Sequence, residues 1–313
     1  PIVDDVFALR IAATVKDIGG WIDNVGTGEK DFNDNDILNV RVKALWNVTD
    51  QLTIKGMAIS HSADAGGHNI VNQKPFDESL FATAVDRNVG TSVEVDHEIY
   101  NLTAIYDLGF AALTSSSSYM ESESFYDRES QFGEFAAFNE ILTEDTQTQV
   151  KSFTQEVRLS SNESDSPFGW TVGVFYADLE SRFGLGGLKL GIDGVETLSL
   201  DLGSGTDLEE SRSFALFADF SYDISDRLTL GLGGRYFEDE RNLSDASGLS
   251  APQADFDQFS GRASLAFAVN EETNLYASVA EGFRSGGQSR VDVPPFEEET
   301  VKTYEAGFKT FLF

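Results

Sequence analysis

His61 and His68 stand near one another with Asp64 between them. Imidazole and carboxylate together can ligate a metal. The spacing matches no diagnostic metal motif, so these side chains read as solvated residues of one loop and no metal site is expected. His97 follows Asp96 on an alternating segment and reads as a lumen-facing or interfacial side chain. Gly184, Gly186, Gly187 and Gly191 have the flexibility to wrap a phosphate, but that chemistry needs a strand before the loop and a helix N-terminus after it. No helical pattern and no phosphate-binding lysine accompany them, so a flexible loop is expected. Ser204, between Gly203 and Gly205, lacks the Gly-x-Ser-x-Gly frame of a nucleophile elbow, and no histidine is close in sequence. With 53 Asp and Glu, any pair could be nominated as acid and base, and the pattern singles out none. No catalytic residue and no cofactor are expected, and the chain does not read as an enzyme.

The stretch from Glu121 to Asp145 is richer. Phe125, Tyr126, Phe132, Phe135 and Phe138 are interleaved with Glu121, Glu123, Asp127, Glu129, Glu134, Glu140, Glu144 and Asp145. One reading is a ligand-binding surface on a long loop, where aromatic faces stack on a solute and carboxylates attract cations. The other is a loop packed on its own side chains with a solvated acidic face. Both stay open.

These residues need a scaffold, and composition narrows the choice. A chain of 313 residues with 41% apolar and 12% aromatic content folds rather than remaining disordered. With 28 Gly and 25 Phe against 6 Pro and 2 Met, it favours strands and turns. No run approaches the roughly 18 apolar residues of a membrane helix, which leaves a membrane β-barrel open because barrel strands are only half apolar. The net charge of −31 disfavours nucleic acid and bare anionic lipid as partners. The absence of cysteine removes disulfides, thiolate metal sites and thiol nucleophiles.

Period-two alternation recurs about a dozen times over segments of roughly 10 residues, the length a tilted strand needs to cross a bilayer. Phe7, Leu9, Ile11, Ala13 and Val15 alternate with Ala8, Arg10, Ala12, Thr14 and Lys16. Leu38 to Trp46, Tyr100 to Tyr106, Trp170 to Tyr176, Phe214 to Tyr222 and Leu228 to Tyr236 repeat the pattern, which weakens in the Ser-rich stretch from Ala111 to Tyr119. A soluble sandwich also alternates, so the links must decide. Short links near 47–51, 107–109, 161–167, 223–227 and 270–273 take turns with long ones near 17–35, 61–92, 121–150, 181–210, 241–256 and 285–299. In a meander this places all short links at one end, as in outer-membrane barrels with short periplasmic turns and long extracellular loops. Trp46, Tyr106, Trp170, Tyr176, Tyr222 and Tyr236 lie where interfacial girdles belong. Arg10, Lys16, Arg41, Lys43, Arg158, Arg235 and Arg262 would then face a wet lumen.

Particular runs carry a family resemblance. Phe153-Thr154-Gln155-Glu156-Val157-Arg158-Leu159-Ser160 with Gly169 to Tyr176, Ser225 to Leu230 with Gly233 to Tyr236, Leu275 to Gly287 and Glu299 to Lys309 are similar to strands of TonB-dependent outer-membrane receptors. Gly20 to Asn24 extends the likeness toward the start. The resemblance implies a 22-stranded barrel plugged by an N-terminal domain, which takes up scarce nutrients, typically ferric siderophores. The implied setting is the outer membrane of a Gram-negative bacterium. Implied partners are outer-membrane lipid, the TonB-ExbB-ExbD complex acting through the plug, and a small ferric ligand. No plug and no TonB box are recognised in these residues, so residues 1–313 are expected to be a partial barrel domain of about 12 strands. The alternatives are a self-contained smaller barrel, acting as passive channel or enzyme, and a soluble β-rich binding or adhesion protein.

Overall fold

Every strand has backbone donors and acceptors on both edges, and a chain of alternating greasy and polar side chains satisfies them by pairing each segment with the next. The computed structural model describes all residues except 25–27, 68–83, 86–91, 131–139, 163–165, 193–194, 201–205, 289–290 and 312–313. Its strands are β1 (Phe7–Ile18), β2 (Asp23–Asn24), β3 (Asn35–Asn47), β4 (Leu52–Ala65), β5 (Ala84–Val85), β6 (Ser92–Asp107), β7 (Ala111–Ser130), β8 (Glu140–Ser161), β9 (Phe168–Ile192), β10 (Val195–Leu200), β11 (Thr206–Ser225), β12 (Leu228–Ser244), β13 (Ala254–Ala268), β14 (Thr273–Arg284) and β15 (Glu299–Thr310). One antiparallel sheet runs β1-β3-β4-β6-β7-β8-β9-β11-β12-β13-β14-β15, an all-β meander of twelve strands. β10 folds back on the tip of β9, and β2 and β5 form a separate parallel pair. β1 and β15 end the path without pairing to each other. The self-contained barrel required pairing of Phe7 to Lys16 with Lys302 to Thr310, and the described residues do not make it.

The outer face is predominantly apolar. Leu9, Val15, Leu38, Leu102, Val172, Val174, Leu216, Phe220, Leu232 and Leu265 are all exposed, Val15 at 78% and Leu102 at 57%. Among the described residues the buried apolar side chains are Ile22, Phe32, Ala111, Ala215, Ala251 and Ala254. A soluble sandwich would bury its apolar rows against a second sheet. Here the rows face outward, as hydrocarbon requires.

Two aromatic bands bracket that surface. Tyr100 pairs with Tyr119, Tyr119 with Phe153, Tyr176 with Phe214, and Tyr236 with Phe259, forming the upper band. Phe168 pairs with Tyr222 in the lower band, and its ring stacks on Phe220 at 5.8 Å. Phe214 to Tyr222 measures about 27 Å of strand at ~3.4 Å per residue, enough for a tilted crossing. Above the upper band, Tyr100 Oη donates to Glu98 at 2.9 Å, Tyr119 to Glu121 at 3.2 Å and Tyr176 to Asp178 at 3.2 Å. Apolar ring and charged partner together mark where hydrocarbon gives way to water.

The two ends differ as the sequence predicts. At the cropped end, Gly109 takes φ +86°, a left-handed conformation that glycine adopts without a Cβ clash. Asp107 Oδ1 accepts from Gly109 N at 2.7 Å, while Asn162 Nδ2 of the next turn donates to Asp107 Oδ1 at 3.0 Å and to Gly109 O at 2.8 Å. At the long end, the β1–β3 connection holds a small core of Ile22 and Phe32. Buried Asn33 accepts there from Trp21 N at 2.8 Å and Ile22 N at 2.7 Å.

Several expected loops are strand. Residues 121–130 and 140–150 belong to β7 and β8, and Gly184, Gly186, Gly187 and Gly191 lie in β9 rather than in a flexible loop. Beyond the upper aromatic band no hydrocarbon demands an apolar face, so the sequence need not alternate while the backbone ladder continues.

Candidate functional site: the lumen wall

With the apolar rows outward, the alternate rows line the inner face. Arg10 pairs with Lys43 across β1 and β3, and Lys16, Arg41 and Lys55 project from the same face of β1, β3 and β4. All are exposed, and none is ion-paired among the described residues. The inner rows of these three strands carry no carboxylate; their acidic residues Asp17, Asp36 and Asp64 stand on the outer parity. A cavity of about 550 Å³ along this wall is lined by Arg10, Lys43, Lys55, Met57, Asn101 and Thr103, a volume in the range of small-molecule sites.

The wall across β9, β11 and β12 differs. The Arg235 guanidinium lies 5.2 Å from the Phe175 ring centre and 5.5 Å from that of Phe237, so two rings hold it by cation–π attraction. The Phe217 ring lies over Gly173, where a Cβ would have no room. Arg262 Nε donates to Asp219 Oδ2 at 2.7 Å, reaching across Gly233 of the intervening strand. Higher up, buried Asp239 accepts from Ser211 Oγ at 2.7 Å, Ser213 Oγ at 3.0 Å and Arg241 Nε at 2.8 Å. Cations on this side are already engaged, while those on β1, β3 and β4 have no ion-pair partner among the described residues.

The expected lumen cations Arg10, Lys16, Arg41, Lys43, Arg158, Arg235 and Arg262 all fall on the inner parity. Lys55, Phe175, Phe217 and Phe237 complete the wall and were not anticipated. The Phe residues alternate with outward side chains but share rows with Thr171 and Asp219, so that face reads as merely polar in sequence. The expected loop aromatics are redistributed. Phe125 and Tyr126 sit in β7, not in a loop, and on opposite faces, opposite Glu94 and Val93 of β6. Phe132, Phe135 and Phe138 lie outside the described residues, as do His68 and Ser204. His61 belongs to β4, not a loop, and its partner is His97 on β6.

Comparison with known proteins agrees with this geometry. Residues 49–313 match the family model of the TonB dependent receptor-like β-barrel. Among solved structures, the ferric yersiniabactin uptake receptor FyuA from Yersinia pestis superposes with a TM-score of 0.78 at 16% identity, covering 100% of this chain and 48% of that one. The siderophore receptor PiuA from Acinetobacter baumannii gives 0.75 at 15% identity over 99% of this chain and 51% of its own. The copper transporter OprC gives 0.71 at 12% identity, covering 98% of this chain and 47% of that one. The chain thus spans about half the length of the receptors it matches. Outward apolar rows, two aromatic bands and a charged lumen are what a barrel of the Gram-negative outer membrane must have, and the chain belongs to the TonB-dependent receptor-like β-barrel family.

Proposed function

We infer that this chain forms part of the wall and mouth of an outer-membrane receptor for energised uptake of a scarce, negatively charged solute, with ferric siderophores as the solute class. The observation that carries the reading is the cluster of lumen cations without ion-pair partners among the described residues, Arg10, Lys16, Arg41, Lys43 and Lys55, in a chain of net charge −31. In a lumen with low-dielectric walls, such a patch raises the local concentration of an anion. Ferric complexes of citrate and of catecholates are anionic. In this reading Tyr126, on the inner parity of β7, contacts the ligand near the mouth together with Phe132, Phe135 and Phe138, while Phe125 stands on the outer parity with Tyr119 and Glu121 and takes no part; a plug domain fills the lumen, and the TonB-ExbB-ExbD complex acts on that plug. The protein moves its solute and makes no bond. Similarity to FyuA and PiuA supports this solute class.

The test is uptake of radioactive iron by cells that produce the full receptor, supplied as ferric citrate, a ferric hydroxamate or a ferric tricatecholate. Accumulation of one of these should require both the receptor and TonB. Uptake that persists without TonB, or no uptake of any anionic ferric complex, would overturn the reading.

A further inference from the structure

His61 of β4 and His97 of β6 are direct cross-strand partners on the inner face, with ring centres 5.8 Å apart and ring planes within 14° of parallel. They occupy the row Asn39, His61, His97, Ser122, which carries no charge. Both rings are half-buried. Asn39 Nδ2 lies 3.4 Å from His61 Nδ1. An Asn side chain turned about its last bond presents its carbonyl instead, and would then accept from Nδ1–H. With the amide as placed, Nδ2 donates to Nδ1 and the proton sits on Nε2; it is the turned amide that would leave Nε2 with its lone pair for a metal.

We propose that His61 and His97 form a two-imidazole docking point for a late first-row transition metal, copper(II) foremost, that arrives with a carboxylate chelator on its remaining positions. Two nitrogens on one metal lie roughly 3 Å apart, given metal–nitrogen bonds of about 2.0–2.1 Å. The stacked rings reach that arrangement by turning about the Cβ–Cγ bond, a soft torsion. Imidazole suits copper, nickel and zinc, and copper(II) binds such donors most tightly of the divalent series. Met120, a thioether on the inner face of β7, is paired with Ile99, two residues along from His97. No group of three or more His, Asp or Glu is arranged for a metal among the described residues. The pair is therefore an open, two-donor site and not a closed cage. Arg41, paired with Ile59 two residues from His61, repels a bare cation but attracts the carboxylates of a chelate. The site does not depend on which solute the receptor carries, and it is read by binding rather than transport, so it and the uptake reading fail separately.

The probe is the copper(II)–nitrilotriacetate complex, an anion with two adjacent coordination positions left open. Titrated into the full receptor in detergent, it should give an electron paramagnetic resonance spectrum with two additional imidazole nitrogens per copper. His61→Ala and His97→Ala should each remove that signature, and Asn39→Ala should weaken binding by about 10–100-fold. His97→Gln, which keeps polarity and size, should behave as His97→Ala, and heat-modifiable migration in gels reports that each variant is folded. An unchanged copper spectrum on adding the wild-type receptor would overturn the proposal, as would equal binding by the folded His61→Ala, His97→Ala double variant.

Discussion

Gln155 Nε2 of β8 donates to Ser115 Oγ of β7 at 3.0 Å, on the face turned toward hydrocarbon. The carbonyl of the same amide accepts from Ser117 Oγ, so three polar side chains in one apolar belt satisfy each other. Leaving one member unpaired there costs more than replacing all three by alkyl side chains. Ser117→Ala should destabilise the barrel by about 1–3 kcal/mol, whereas the triple replacement Ser115→Ala, Ser117→Ala, Gln155→Leu should be near neutral. Equilibrium unfolding of the full receptor in lipid vesicles checks this, and the reverse order would show that the trio is not lipid-facing.

The two faces of β9 give a second contrast. Val172 is exposed outward, while Thr171 points inward and its Oγ1 donates to Ser160 Oγ at 3.0 Å. Val172→Arg should cost about 2–4 kcal/mol near the midplane, and Thr171→Arg much less. Equal penalties in the same unfolding measurement would refute the face assignment.

Gly233 keeps Arg262 and Asp219 together, because a Cβ there would sit within 3 Å of both. The pair is solvent-accessible, with side chains 64% and 38% exposed, so its loss should cost under about 1 kcal/mol. Gly233→Ala and Asp219→Asn should be strongly non-additive, since each breaks the same contact. Additive stability losses in a double-mutant cycle would mean the glycine serves another purpose.

Asp245 heads an exposed connection between β12 and β13. The Ser247 hydroxyl holds its carboxyl below the ordinary range; desolvation opposes it, and the backbone N–H groups of Leu249, Ser247 and Gly248 add to the lowering. A lowered acid pKa means that the loop is stabilised at neutral pH, where folded and unfolded carboxyls are both ionised. That stabilisation is lost as pH falls through the lowered value. Amide resonances of Ser247 and Leu249 should therefore titrate with a midpoint below about 3.9. A midpoint at or above that value would remove the hydrogen-bonded cap.

Charge on the basic wall should govern encounter. Lys43→Glu with Lys55→Glu should slow binding of the transported ferric complex by roughly tenfold at low salt, and by less as salt screens the field. Stopped-flow association rates at two ionic strengths decide it, and a salt-independent rate identical to wild type would sink the steering role.

How much of this was visible in the residues depended on where the strands meet hydrocarbon. Trp170, Val172, Val174 and Tyr176 alternate cleanly because one face must be apolar, so β9 was legible across the membrane. Its continuation through Gly184 to Ile192 was not, since beyond the aromatic band no hydrocarbon imposes alternation. The Ser-rich run in β7 failed for the opposite reason. Ser115 and Ser117 stand in the membrane but meet their needs through Gln155, a partner some forty positions away that no local pattern reveals. The lumen cations were legible from parity alone. The approach of His61 to His97 was not, because register across a link at 66–91 decides which residues meet.

β8 and β9 continue well past the upper aromatic band, with Ile192 of β9 paired to Glu140 of β8. From Tyr176 to Ile192 is about 50 Å of strand at ~3.3 Å per residue, or roughly 40 Å of height at a tilt near 40°. The backbone of these two strands thus stands outside the bilayer, where a macromolecule too large to enter the lumen could still touch it.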